Sequence, residues 1–133
     1  MADLTVSEVR LIEKGELYTA PTAETLAVGD VARNDASALL TGANATGTTE
    51  NNWEGVVLDV DAGPVVTVAG NDCLVTLGTA LAALAYGDLV YLSDTDKKLA
   101  DAAGTVSTIV GRVEAVRNQG TVYKALRIKK EVS

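Results

Sequence analysis

The chain has 133 residues, a formal net charge of −7 and no His. Without His, Ser-His, Cys-His and His-metal schemes are excluded, and an acidic chain is a poor match for nucleic acid, whose phosphates need a basic surface. Apolar residues make up 47%, yet there is no Phe, one Trp, one Met and four Tyr, so the core must be built from Val, Leu and Ala, which with frequent Gly turns favours short strands in a single domain.

The first residues mix Leu4, Val6, Val9 and Leu11 with Asp3, Ser7, Glu8 and Arg10. Leu4 to Val6 alternates at strand period, Val6, Val9 and Arg10 would share a helical face, and a mobile terminal arm is the third reading. We assign residues 1–15 to such an arm and 16–133 to one folded domain. Glu16–Pro21 reads as a strand stopped by proline, and Leu26-Ala27-Val28-Gly29-Asp30-Val31 as a turn into a strand. Gly29 can supply positive φ there, and Asp30 a bond back to the backbone. Residues 34–52, rich in Asn, Thr, Ala and Gly, read as a long surface loop in which Ala38-Leu39-Leu40 can dock. Trp53–Val60 is a strand, Asp61–Pro64 a tight turn, Val65–Ala69 the next strand, and Gly70-Asn71-Asp72 a turn into Cys73–Leu77. Short connections predict an antiparallel meander of these three. Thr79–Ala85 is the one helix-forming segment, long enough for one or two turns. Asp88–Leu92, Lys98–Ala100, Thr105–Val116 and Thr121–Lys130 complete the strands.

An internal repeat runs through this order. Leu26–Val31 matches Leu84-Ala85-Tyr86-Gly87-Asp88-Leu89, Gly55–Val60 matches Gly111–Val116, and the turn glycines Gly63 and Gly120 follow. The offsets are 58, 56 and 57 residues. The expected fold is all-β: a small, closed or partly open antiparallel β-barrel made of two such units, with at most one short helix. Gly29, Asp30, Gly87 and Asp88 would form its turns. Gly55 and Gly111 would sit in strands where a sheet bends or a second backbone comes close.

Chemistry is sparse. No GxxxxGK[ST] or GxGxxG occurs, and one Cys without His gives no zinc site. The pairs Asp59/Asp61 and Asp94/Asp96 read as turn aspartates, since calcium needs six to eight oxygens. We therefore expect no enzyme activity, no cofactor, no metal and no small-molecule substrate. Cys73, inside an apolar run, reads as a buried thiol of a protein made in a reducing cytoplasm. No apolar run reaches the roughly 20 residues that cross a bilayer, and Asp3 stands where a secretory signal would be apolar, so no membrane partner is expected. Trp53 reads either as a plug at the barrel end or as an interface anchor. Seventeen acids face seven bases over residues 1–120, but one acid faces four bases after that. Arg127, Lys129 and Lys130 read as a solvated face or as a cationic contact for an acidic neighbour.

Leu84–Glu114 resembles the central stretch of a family of bacteriophage head-decoration (cement) proteins, once classed as a domain of unknown function. The resemblance rests on Gly87-Asp88, Val90-Tyr91, the polar turn Ser93–Lys97, Leu99 and Val110-Gly111-Arg112-Val113, with Leu26–Val31 and Gly55–Val57 upstream, over roughly residues 16–128. It implies a compact β-barrel that binds the major capsid protein on the outside of the virion as a homotrimer at three-fold or quasi-three-fold positions. It also implies a terminal arm reaching across the shell, for which Leu4, Val6, Val9 and Leu11 are the candidates. The alternatives are another phage structural part, such as a head-fibre base or tail-tube component, and a small β-barrel ligand-binding module.

Overall fold

A computed structural model describes residues 2–130; Met1 of the expected arm and the last three residues of the assigned domain lie outside it. Eleven strands form: β1 (Arg10–Glu13), β2 (Leu17–Pro21), β3 (Val31–Asn34), β4 (Leu40–Gly42), β5 (Trp53–Val60), β6 (Val65–Ala69), β7 (Leu74–Thr76), β8 (Leu89–Leu92), β9 (Leu99–Ala100), β10 (Ile109–Asn118) and β11 (Thr121–Ile128). They pair antiparallel into a six-stranded sheet, β1-β7-β11-β10-β8-β9, and a five-stranded sheet, β2-β6-β5-β3-β4. The all-β class is as expected. The expected single barrel of two units does not form: the strands make two separate sheets and neither closes on itself, although an isolated parallel bridge, Thr22 with Leu40, brings the two edges of the five-stranded sheet together.

With β1 set aside, the two sheets run in the same order, with β7, β8, β9, β10 and β11 in the places of β2, β3, β4, β5 and β6. The local bonds agree. Gly29 and Gly87 have φ of 92° and 91°, a region that costs a residue with Cβ dearly. The carboxylates of Asp30 and Asp88 accept the amides of Ala27 and Ala85, each at 2.8 Å. The amides of Gly29 and Gly87 donate to the carbonyls of Val57 and Val113 at 2.9 and 2.8 Å. Gly55 and Gly111 lie in β5 and β10 where a partner strand crosses close: a Cβ would strike the carbonyl oxygen of Ala69 or Arg127.

Three expectations are corrected. β7 does not extend the meander: the chain leaves the five-stranded sheet after Ala69, and β7 pairs with β1 and β11 instead. Thr79–Ala85 forms no helix; the amides of Ala80, Ala82 and Leu84 each donate three residues back, giving successive turns that bury Leu81 and Leu84 on one side. Residues 34–52 are not all surface loop, because β4 lies within them and Leu40, Ala43 and Ala45 are fully buried.

The two passages between sheets lie back to back. Residues 14–16 carry the chain from β1 to β2, and residues 70–73 carry it from β6 to β7. The amide of Gly15 donates to Cys73 Sγ at 3.3 Å, and the thiol donates to the Glu16 carbonyl at 3.1 Å. Glu16 N donates to Asn71 O at 2.9 Å, and Gly70 N to Glu16 O at 2.8 Å. The main core lies between the sheets and takes side chains from both, among them Val31, Trp53, Val56, Val75, Val90, Leu92, Val113 and Leu126. A smaller one, Leu26, Ala32, Leu40, Val57, Val66 and Val68, lies on the other side of the five-stranded sheet. Val56 and Val57 thus feed different cores, as alternation along a strand requires.

Glu24 clamps the five-stranded sheet to the other. Its carboxylate accepts the Thr41 hydroxyl and the Gly42 amide, and pairs with Lys97 Nζ at 2.9 Å. The Thr41 bond, the Gly42 bond and the lysine together lower its pKa to about 2.

Two predictions follow from these contacts. A Cβ on Gly15 would fall against the backbone of Asn71, Asp72 and Cys73, so Gly15→Ala should cost about 3 kcal/mol, the upper end for overpacking. Gly87→Ala meets no atom within 4 Å and carries only backbone strain, about 1–2 kcal/mol. Urea unfolding of both variants ranks them, and equal midpoints would contradict the tight crossing. For Glu24 the folded pKa lies below the unfolded one, so its stabilisation is present above about pH 4.5 and is lost as pH falls through about 2. Because the side chain is 37% exposed, Glu24→Gln should cost only about 1 kcal/mol at neutral pH. The melting temperatures of parent and variant should converge as pH approaches 2.

Candidate functional site

The carboxylates of both pairs are engaged within the chain. Asp59 Oδ1 accepts the Val60 amide at 3.0 Å and Asp61 Oδ2 the Thr67 hydroxyl at 3.0 Å. Asp94 accepts the amide and hydroxyl of Thr105, each at 2.8 Å, and Asp96 the Asn44 amide group at 3.1 Å. No group of three or more His, Cys, Asp or Glu that could hold a metal occurs among the described residues.

The basic ending is engaged within the chain. Arg127 pairs with Glu13 at 2.8 Å and Glu114 at 3.2 Å and donates to the Asp72 carbonyl. Lys129 pairs with Asp72 at 2.8 Å, and Lys130 with Glu54 at 3.2 Å. Lys130 Nζ also lies over the Trp53 ring, 5.8 Å from its centroid. Trp53 itself is 3% exposed and belongs to the main core. Its ring is buried in this chain, so the interface-anchor role has no exposed ring to work with.

The N-terminal residues are likewise packed on their own chain rather than held out as an arm. Asp3 bridges to Ala100, Leu4 N donates to Leu99 O at 2.8 Å, and the Ser93 hydroxyl donates to the Asp3 carboxylate. That hydroxyl and Thr95 lower the Asp3 pKa. Val6 lies over Gly29, and β1 then pairs with β7. Residues 2–13 therefore cover both β9 and β7, the two edges the six-stranded sheet would have without them. Leu4 and Val9 are buried in the main core, with Val6 and Leu11 packed against it. The physical reason is that four apolar side chains at this spacing find a core surface within reach, and burying a Leu or Val yields about 1.5–3 kcal/mol.

What remains exposed and apolar is concentrated elsewhere. Ile12 (39% exposed), Tyr86 (49%) and Val122 (48%) lie together and line a groove of about 550 Å³ with Tyr123, Leu81 and Ala82. Strand β11 supplies Val122, Tyr123 and Lys124, β1 supplies Arg10 and Ile12, and the turns before β8 supply Tyr86. Glu8, Arg10 and Lys124 stand at its rim. Lys124 Nζ lies 5.6 Å from the Tyr86 ring centroid and donates to the Ala82 carbonyl. The sequence reading missed this site. Two signals pointed to it: two of only four tyrosines fall here, and Val122-Tyr123 puts consecutive large residues on a strand whose next turn is exposed. A second cleft, about 600 Å³ and mostly polar, lies between residues 48–52 and 107–109, where Asn51 donates to the Thr108 hydroxyl at 3.1 Å.

Comparison of the chain with protein-family models, curated proteins and solved structures returned no match.

Because the N-terminal residues cover two sheet edges, a chain beginning at Lys14 should be less stable by roughly 3–6 kcal/mol, the burial of Leu4 and Val9 together. That corresponds to a melting temperature lower by on the order of 10–20 °C. Circular dichroism melts test this; a truncated chain that melts with the parent would make residues 2–13 a detachable arm after all.

Proposed function

We propose that this chain is a structural component of a bacteriophage head, binding the major capsid protein on the outer surface of the shell as a trimer and stabilising the mature particle. The observation that carries the reading is the groove, as a surface through which the copies of a trimer would meet. Three of the four large apolar side chains exposed among the described residues converge on it, whereas scattered single residues are the rule on ordinary surfaces. Such a patch is suited to burial against another protein. The resemblance over Leu84–Glu114 supplies the kind of partner, and those residues form β8, β9 and most of β10, the sheet that bears Tyr86.

A non-enzymatic role is in keeping with the internal use of the charged groups. Carboxylates close turns and cations clamp strands. A decoration protein needs a stiff block rather than a reactive cleft: packaged DNA pushes a head outward, and a bridging block adds contacts that must break before the shell opens. Three linked weak sites gain affinity through effective concentration. The common strand order of the two sheets, with matched Gly-Asp turns and close-crossing glycines, further supports reading the chain as a duplicated five-strand unit.

Heads lacking this chain, prepared from the phage that carries it, test the proposal. The purified protein should co-sediment with them, saturate at three copies per occupied site, and raise the temperature at which they release DNA. Protein that stays in the supernatant at saturating concentration would overturn it.

A further inference from the structure

The groove has a counterpart on the same chain. The fourth exposed large apolar residue is Val60, 45% exposed, which ends β5 at the hairpin leading into β6, on the other sheet. Asp59 and Asp61 flank it, and neither is in an ion pair with a base among the described residues. The turn beyond it, Ala62-Gly63-Pro64, is exposed and uncharged. The tip thus presents one apolar side chain between two carboxylates. The groove presents the complement: an apolar floor from Ile12, Tyr86 and Val122, with Arg10 and Lys124 at the rim and Glu8 as the one acid. Arg10 has no ion pair among the described residues either.

We propose that the Asp59-Val60-Asp61 tip of one copy of this chain docks into the groove of a second copy. Val60 packs among Ile12, Tyr86 and Val122, and the two carboxylates face Arg10 and Lys124. Charge selects this tip. The β10–β11 hairpin, its counterpart on the other sheet, carries Arg117-Asn118 at the same place, and its guanidinium would be repelled by the basic rim. Charge also makes the contact specific, since copies of −7 each repel one another except where opposite groups meet. Tip and groove are different patches, so the contact is heterologous. Every copy offers both halves, and association proceeds until the rotation between neighbours closes a ring. One tip in one groove is smaller than the roughly 1,200–2,000 Å² of a stable interface, but in a ring each copy makes two such contacts and closure adds effective concentration. The contact deepens the proposed function by naming the surface through which copies meet, and it rests on that reading only for the number three.

Analytical ultracentrifugation of the full chain, from low micromolar to several hundred micromolar, tests it. The parent should associate, and Val60→Asp, Asp59→Arg and Arg10→Glu should each weaken association by at least about tenfold with unchanged circular dichroism. Asp59→Arg and Arg10→Glu combined in one chain should restore it. A parent that stays monomeric, or variants that associate like the parent, would overturn the proposal. Should Val60→Asp misfold, Arg10→Glu, on an exposed edge strand, carries the same test. Co-sedimentation with heads separates the two proposals. Groove variants that keep their solution oligomer but lose head binding would make the shell the occupant of the groove and overturn self-docking alone. A parent that associates through tip and groove yet ignores heads would leave self-docking standing and sink the decoration role.

Discussion

The rest of the fold depends on the place where the chain twice changes sheets. Residues 14–16 and 70–73 pass each other with no room for a side chain at Gly15, and each satisfies the other's backbone groups. A buried amide or carbonyl without a partner costs about 1–3 kcal/mol, so two crossings made separately would each need their own cap. Made together, they exchange bonds: Glu16 with Asn71, Gly70 with Glu16, Gly15 with the Cys73 sulfur. The fully buried thiol is then a hydrogen-bonding part of the junction. The end of β11 is pinned to the same point, through Asp72 N to Ile128 O at 2.7 Å and through the pairs Arg127–Glu13 and Lys129–Asp72. The bases concentrated in the last residues are therefore drawn to acids at the crossing.

Edges are the second problem, because an open strand edge invites pairing with another chain. The two sheets solve it differently. In the five-stranded sheet the edges meet directly, through Thr22–Leu40 and the amide of Ala23 donating to Leu40 O at 2.8 Å, with Glu24 locked onto β4. In the six-stranded sheet the N-terminal residues supply the cover, touching β9 at Asp3–Leu4 and β7 at β1. The remaining free edge belongs to β1, four residues long with Arg10 and Glu13 in it, a charged and short edge of the kind that resists indiscriminate pairing.

Much of the backbone plan was legible in the sequence, for identifiable reasons. Trp53–Val60 and Val65–Ala69 coincide with β5 and β6, because β-branched runs bounded by Gly and Pro leave few alternatives. The Gly-Asp turns were legible because positive φ and an Asx bond are local demands. What depended on distant contacts was not. Nothing local to Cys73–Leu77 says that it pairs with β11 rather than β6; that choice is made by the crossing at Gly15. Thr79–Ala85 has helical propensity worth only tenths of a kcal/mol per residue, and burying Leu81 and Leu84 against the core outweighs it. Leu40 alone hinted that a strand lies inside the polar stretch, and a three-residue strand is too short to show a period. Leu4, Val6, Val9 and Leu11 had the composition of something that binds a surface, and the surface they bind is this chain's own. The groove was the least legible feature, since its lining comes from three separated segments that only the folded sheet unites.

On the proposed duplication, the same position in the two sheets is put to different uses. Under that duplication, Tyr86, Val122, Tyr123 and Lys124 stand where the first unit has Val28, Val65, Val66 and Thr67. The first unit also has a concavity there, about 400 Å³, lined by residues 22–26, Val60 and residues 63–66. Glu24 lies in it, held by Thr41, Gly42 and Lys97, and Val66 turns inward to the small core. In the second unit Tyr123 stands in the place of Val66 and lines the groove beside Lys124. The strand keeps its lysine at the rim, and the aromatic residues beside it stay uncovered. An unburied apolar floor of this kind is a standing cost in free monomer, and its retention beside two bases is understandable when an acidic, apolar-tipped partner fills it. On the two proposals taken together, different side chains on a repeated backbone make one half depend on a neighbour.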